Sequence, residues 1–298
     1  MLNFKMAYAI QCHKNPHQIN MLIERINDKN IDIFVHVDKK SDIINKIINK
    51  ENIYFIKDRI EVKWGGFSQV EATLSLFREI RNHGNYNYVH LISGQDYPIK
   101  SKKDIKEFFA KNEGKQFLEY FELPYSLWKY GGLNRVEVYY PQLLCNRNKF
   151  ISKPRSIYEF IIMKTKIFKR NIEFLPSLYG GSSWFSITGD CMEYILDYVE
   201  NNPNYIKFFE NSFCSDEIFF QTIILNSKYK DSVVNDNLRY IDWTGTGPLP
   251  RTLMMKDLNK IMDSKKLFAR KFDISVDKEV LENINKLIDK MFIRDEHN

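Results

Sequence analysis

Short apolar runs alternate with segments of helical period through the first third of the chain, and this alternation leaves few folds open. Residues 5–11, 31–37, 52–56 and 86–93 read as strands, while 16–27, 68–82 and 101–109 read as helices. Apolar strands separated by helices imply a mostly parallel central sheet flanked by helices on both faces. The later chain is less regular. Gly131-Gly132 and Pro141 interrupt an aromatic-rich middle, and the basic stretch 164–170 reads as a helix or an exposed linker. A tight turn at Gly180-Gly181 enters a strand, residues 190–200 read as a helix, 238–243 as a late strand and 255–262 as a helix beyond a Gly- and Pro-rich connection at 245–250.

The 298 residues suffice for one large domain or two closely joined ones, and 44% hydrophobic with 28% charged residues marks a folded chain. A formal charge of +6, spread through the sequence, suits an anionic small ligand or an acidic surface and argues against a nucleic-acid-binding face. Cys12, Cys145, Cys191 and Cys214 form no CxxC pair and no zinc spacing, so reduced and mostly buried thiols are expected. The run Met6–Ile10 is too short for a secretory signal, and no apolar run reaches transmembrane length. The expectation is a soluble protein, cytoplasmic or peripheral at a membrane through its basic surface.

Several residue groups are suited to chemistry. In Cys214-Ser215-Asp216-Glu217-Ile218-Phe219-Phe220-Gln221, two acids stand at the mouth of an apolar helix, whose first N–H groups favour an ionised carboxylate. Such a group can act as a general base; an ordinary charged first turn is the plain alternative. Asp38 closes the second strand, where open α/β sheets place ligands, and can accept from a nucleotide or simply cap the corner. Trp64-Gly65-Gly66-Phe67 permits a sharp turn near a ligand or a neighbouring strand. In Ser93-Gly94-Gln95-Asp96-Tyr97-Pro98, Asp96 can orient a sugar hydroxyl or stabilise the turn, and Trp184 can stack on a pyranose or fill core. Arg251 and Lys271 can converge on a diphosphate or form a solvated basic face. Neither a GxGxxG fingerprint nor a Walker loop occurs, and the histidines have no metal-ligand spacing.

Taken in order, Val62-Lys63-Trp64-Gly65-Gly66, Ser93–Pro98, Gly181-Ser182-Ser183-Trp184, Ser215–Thr222, Val234–Arg239 and Leu267–Asp273 resemble the core-2/I-branching β-1,6-N-acetylglucosaminyltransferase and peptide O-xylosyltransferase family, glycosyltransferase family 14. The resemblance implies a modified GT-A fold over residues 1–273, with 274–298 as a C-terminal helical extension. It implies an inverting transferase with a UDP-sugar donor, no cofactor and no required divalent metal. Glu217 matches the catalytic base, Asp216 its supporting acid, Lys271 and Arg251 the diphosphate contacts, and Asp38 the acid near the nucleotide. The leading expectation is transfer of N-acetylglucosamine to a glycan acceptor, lipid-linked or free, in bacterial surface polysaccharide synthesis at the inner face of the membrane. UDP-xylose is the alternative donor, and a noncatalytic glycan-binding protein is the alternative class.

Overall fold

The seven residues Met6–Cys12 are buried throughout, and Ile31–Val37 nearly so, as strands covered on both faces must be. The computed structural model describes residues 4–145, 148–245 and 249–296. Its strands, in chain order, are β1 Met6–Cys12, β2 Ile31–Val37, β3 Ile53–Phe55, β4 Tyr88–Ser93, β5 Asp96–Pro98 and β6 Gln116–Phe117. They continue with β7 Tyr120–Glu122, β8 Tyr179–Gly181, β9 Phe185–Thr188, β10 Val233–Val234, β11 Arg239–Ile241 and β12 Phe268–Arg270.

The main sheet has the order β10-β6-β9-β4-β1-β2-β3. Its pairs are parallel except around β9, which runs antiparallel to β4 and β6. A mixed, mostly parallel sheet flanked by helices is therefore present, as the alternation of the sequence requires. Small sheets β11-β12-β5 and β7-β8 lie beside it.

Side-chain alternation along β1 and β2 divides the core in two. Tyr8, Ile10, Ile33 and Val35 pack with Ile19, Leu22, Ile23 and Ile26 of the helix Pro16–Ile26. Ala7, Ala9 and Phe34 face Val70, Leu74, Phe77 and Ile80 of the helix Ser68–His83 on the other side. Each fully buried aliphatic side chain contributes roughly 1.5–3 kcal/mol. The four from the first helix easily outweigh the local cost, about 1–2 kcal/mol, of the left-handed Asn15 that starts it.

The basic stretch 164–170 divides between its two expected forms, with Lys164 and Thr165 ending a helix and residues 166–168 exposed beyond it. Its helix is Lys149–Thr165, beginning well before residue 164, and it carries Pro154 in its second turn. The final helix, Glu279–Glu296, buries Val280, Leu281, Ile284 and Ile288 in the same core as the first helix. Arg25 pairs with Asp289 at 2.6 Å and the Tyr97 hydroxyl donates to Asn285 at 3.0 Å, so this segment packs locally onto the sheet's flank. All four cysteines are free, and Cys12, Cys145 and Cys191 are buried. Among the described residues no helix is long and apolar enough to cross a membrane.

Candidate active site

The chain passes from β1 to β2 and β3 on one side and then returns to place β4 on the other. The crevice beyond the carboxyl ends of β1 and β4 is thus a topological switch point, where such sheets bind ligands. A cleft with about 660 Å³ of empty space, part of it open to solvent, lies there. Gln11, Lys14, Asp38, Gln95, Trp184 and Arg270 are among its walls.

Asp38 serves both roles foreseen for it. Its N–H donates to the Cys12 carbonyl at 2.8 Å and its Oδ1 accepts from Lys40 N–H at 2.9 Å, which fixes the corner. The same side chain lines the cleft. The Arg270 guanidinium, also at the cleft, lies 4.7 Å over the Trp184 ring. Burial pushes the Arg270 pKa down, opposed by the negative charges of Asp96 and Glu217. Its buried Nε and Nη1 have no hydrogen-bond partner among the described residues. A buried cation with unsatisfied donors, facing a cleft, is suited to an anionic ligand.

Asp96 itself is fully buried. Its Oδ2 accepts from Ser93 N–H at 2.6 Å and from the Ser93 hydroxyl, and stands 3.8 Å from Arg270 Nη1. Of its two foreseen roles, holding the turn is the one with observed contacts. Gln18, which sequence patterns did not single out, ties the cleft together. Its Nε2 donates to the carbonyls of Gly94 at 2.7 Å and Phe272 at 3.2 Å, and its Oε1 accepts from Ile274 N–H at 3.0 Å.

The acidic segment is built by a chain of close approaches. Gly65 has φ +72°, and a Cβ there would meet the Phe213 ring at 2.5 Å. Its carbonyl accepts from Cys214 N–H at 2.8 Å, so the Trp-Gly-Gly turn directly supports the acids that follow. The two acids do not open the apolar helix as expected. Ser215–Glu217 forms a separate 3₁₀ turn, and the helix Phe219–Leu225 starts only beyond Ile218, at φ −130°. A side-chain cation takes the place foreseen for helix N–H groups: Arg135 Nη1 donates to Glu217 Oε2, with its guanidinium 3.6 Å over the Trp128 ring. The Glu217 side chain remains 34% exposed, so the pair does not seal it from an incoming hydroxyl.

Asp216 accepts from the Ser183 hydroxyl at 2.6 Å, and Gln221 Nε2 donates to the Ser182 carbonyl at 2.6 Å. Burial, and then the charge of Glu217, push the Asp216 carboxyl up to about 6. The Gly180–Trp184 loop therefore reaches both parts of the site: Ser183 holds the acids while Trp184 lines the cleft. Close backbone passage explains Gly181, since a Cβ there would lie 1.8 Å from the Glu119 carbonyl oxygen.

Arg251 and Lys271 are not among the described residues lining the cleft. Arg251 is held by Asp257 at 2.7 and 2.8 Å and by Asp242. Lys271 is half-buried, and its carbonyl accepts from Leu253 N–H at 2.9 Å. Residues 246–248 of the connection before Arg251 lie outside the described residues. Arg135 and Arg270, which the sequence reading passed over, stand beside the acids and at the cleft, where Lys14 is a further cation. Arg270 immediately precedes Lys271 in a motif already singled out; Arg135 carries no comparable local signal. Among the described residues no group of three or more His, Cys, Asp or Glu is arranged to hold a metal ion.

The sequence profile described as Branch: Core-2/I-Branching enzyme matches residues 6–265. The chain belongs to the Core-2/I-Branching enzyme family. Within the span of this Core-2/I-Branching match lie the cleft strands, both acids and the Gly180–Trp184 loop. Xylosyltransferase sqv-6 of Caenorhabditis briggsae is 26% identical over 311 residues, covering 94% of this chain and 36% of that protein. Xylosyltransferase 2 of Homo sapiens is 24% identical over 309 residues, covering 93% and 33%. This Core-2/I-Branching chain thus spans about a third of the length of these relatives. Both are animal proteins, and the expected bacterial origin draws no support from them. The structure of mouse xyloside xylosyltransferase 1 in its apo form aligns with a TM-score of 0.37 at 10% identity, covering 89% of this chain and 96% of that one.

Proposed function

We propose that the chain is an inverting, nucleotide-sugar-dependent glycosyltransferase whose donor is UDP-xylose. The observation that carries the reading is Arg270: a buried guanidinium with two unsatisfied donors beside Trp184, at the switch-point cleft. A nucleoside diphosphate supplies the acceptors those donors need, and Trp184 offers a ring for a sugar face. The family match and the two named xylosyltransferases support the choice of reaction and donor. UDP-N-acetylglucosamine, the first expectation from the motifs, ranks second because of those relatives.

In this reading Glu217 removes the proton from an acceptor hydroxyl as that oxygen attacks the donor's anomeric carbon. The bond from that carbon to the diphosphate oxygen breaks on the opposite face, so configuration inverts and no covalent enzyme intermediate forms. Arg270, with Lys271 following it, neutralises the departing diphosphate, while Asp38 accepts hydrogen bonds from the nucleoside. Arg135 positions Glu217, and Asp216 anchors the base turn to the Trp184 loop. The diphosphate is a competent leaving group, so no second carboxylate is needed as an acid. The reaction is proposed to need no divalent metal.

The test is a donor panel in EDTA: UDP-xylose, UDP-N-acetylglucosamine, UDP-glucose and UDP-galactose, with both binding and slow donor hydrolysis measured. Preferential turnover of UDP-xylose is expected. Preference for another sugar overturns the donor assignment. Absence of interaction with every donor overturns the transferase reading in favour of a glycan-binding protein.

A further inference from the structure

We propose that the exposed face of the helix Lys149–Thr165, with the turn after it, is a docking surface for an anionic lipid membrane. The inner face of this helix is fully employed. Arg155, Glu159 and Ile162 are buried; Ile162 packs with Val138, Tyr140 and Cys145, and Glu159 pairs with Lys129 at 3.0 Å. The Arg155 guanidinium lies 4.3 Å from the Phe213 ring, directly before the segment that carries Glu217.

The outer face is the unusual one. Phe150, Ile157, Phe160 and Ile161 are exposed along the helix, and Ile167 and Phe168 continue the strip beyond it. Phe150 and Phe168 are 87% and 86% exposed, far beyond the scattered surface apolar residue that needs no explanation. Positions 150, 157 and 161 recur at the spacing of a single helical face. Lys153, Lys164 and Lys166 are exposed alongside, with Lys164 Nζ 5.4 Å from the Phe160 ring centroid.

Charge decides what covers this strip. Residues 149–170 contain seven lysines and arginines against one acid, Glu159, and that acid is buried and paired. No carboxylate of this stretch therefore reaches the outer face. A second copy of the chain would set lysines against lysines, which opposes association. An anionic bilayer matches both halves of the pattern: aromatic and aliphatic side chains enter the headgroup boundary while lysines meet lipid phosphates. This inference stands on the surface alone and does not depend on the donor or on the reaction.

The test is flotation of the full chain with phosphatidylcholine vesicles and with vesicles containing an equal share of phosphatidylglycerol. Binding to the anionic vesicles, weakened by salt, is expected. K153Q/K164Q/K166Q should lower the affinity by about a hundredfold, at roughly fivefold per lysine. F160S/F168S should lower it by at least about tenfold with an unchanged circular dichroism spectrum, since both side chains are exposed. K50Q/K103Q/K265Q removes the same charge elsewhere and should leave binding within about twofold. The proposal is overturned if the native chain does not float with anionic vesicles at low salt, or if this control matches the first variant. A dimer in sedimentation velocity that F160S/F168S disperses, without vesicle binding, would assign the face to a second copy instead.

Discussion

Arg135 binds the carboxylate of Glu217 while its guanidinium lies over Trp128, 3.6 Å from the ring centroid. The two partners are 82 residues apart in the chain. The aromatic platform restricts the guanidinium, and the guanidinium restricts the acid. Proximity of this kind counts most in a group that must meet a proton at one place.

Glu217→Gln keeps the size of the side chain and removes its basicity. Transfer should fall by about 10²–10⁴-fold while UDP binding stays near the native value, as read by titration calorimetry beside the transfer assay. Native transfer by this variant would remove Glu217 from the mechanism.

Arg135→Ala should lower kcat by roughly 10²-fold with a much smaller change in KM, because it displaces the base and leaves the donor cleft intact. In the E217Q background the same substitution should cost little further activity. Additive losses in the two single variants and the double variant would mean that Arg135 acts through stability alone.

The Asp216 carboxyl titrates near 6 in the folded chain against an ordinary value of 3.8, raised by burial and then by Glu217. The folded chain therefore holds a proton that the unfolded chain has released, and stability declines as pH rises from about 4 to about 6. Above that window the full penalty stands. Asp216→Asn retains an acceptor for Ser183 and removes the penalty, so its advantage over the native chain should grow across this range by up to about 3 kcal/mol. Urea midpoints at about pH 4 and pH 7 check the difference; an equal gap at both would contradict it.

The two arginines of the late chain should separate cleanly. Arg270→Ala should weaken UDP binding by roughly 10- to 100-fold, the worth of charge-assisted hydrogen bonds. Arg251→Ala strips Asp242 and Asp257 of their shared partner and should cost about 1–3 kcal/mol of stability while UDP affinity holds. A large affinity loss in the Arg251 variant would restore that residue to the diphosphate site.

What the sequence disclosed, and what it hid, divides by range. Ile31–Val37 was legible to the residue because Ile31, Ile33, Phe34, Val35 and Val37 make it mostly apolar, as a strand covered on both faces must be. The helices Pro16–Ile26 and Ser68–His83 showed their buried stripes equally plainly. The helix Lys149–Thr165 did not, because its apolar residues lie outward as well as inward and Pro154 interrupts its second turn. Asp38, Trp184, Asp216 and Glu217 were singled out from motifs, and the structure brings Asp38 and Trp184 to one cleft. Arg135 and Gln18 were invisible, since each acquires its meaning from partners scores of residues away. Arg251 stood in a suggestive loop, but its two carboxylate partners follow no pattern that marks them in advance.

The threads that close the cleft join segments 254 to 259 residues apart: Lys14 and Asn15 both hold Asp273, and Gln18 holds the backbone on either side of it. On a ribosome, most of the central sheet can form while this wall is still unmade. A chain that has emerged as far as residue 225 has β1 to β9 and the base turn but not Arg270, which lines the cleft. The cleft is thus walled only once residues 270–274 have emerged, after most strands and the base turn are already made.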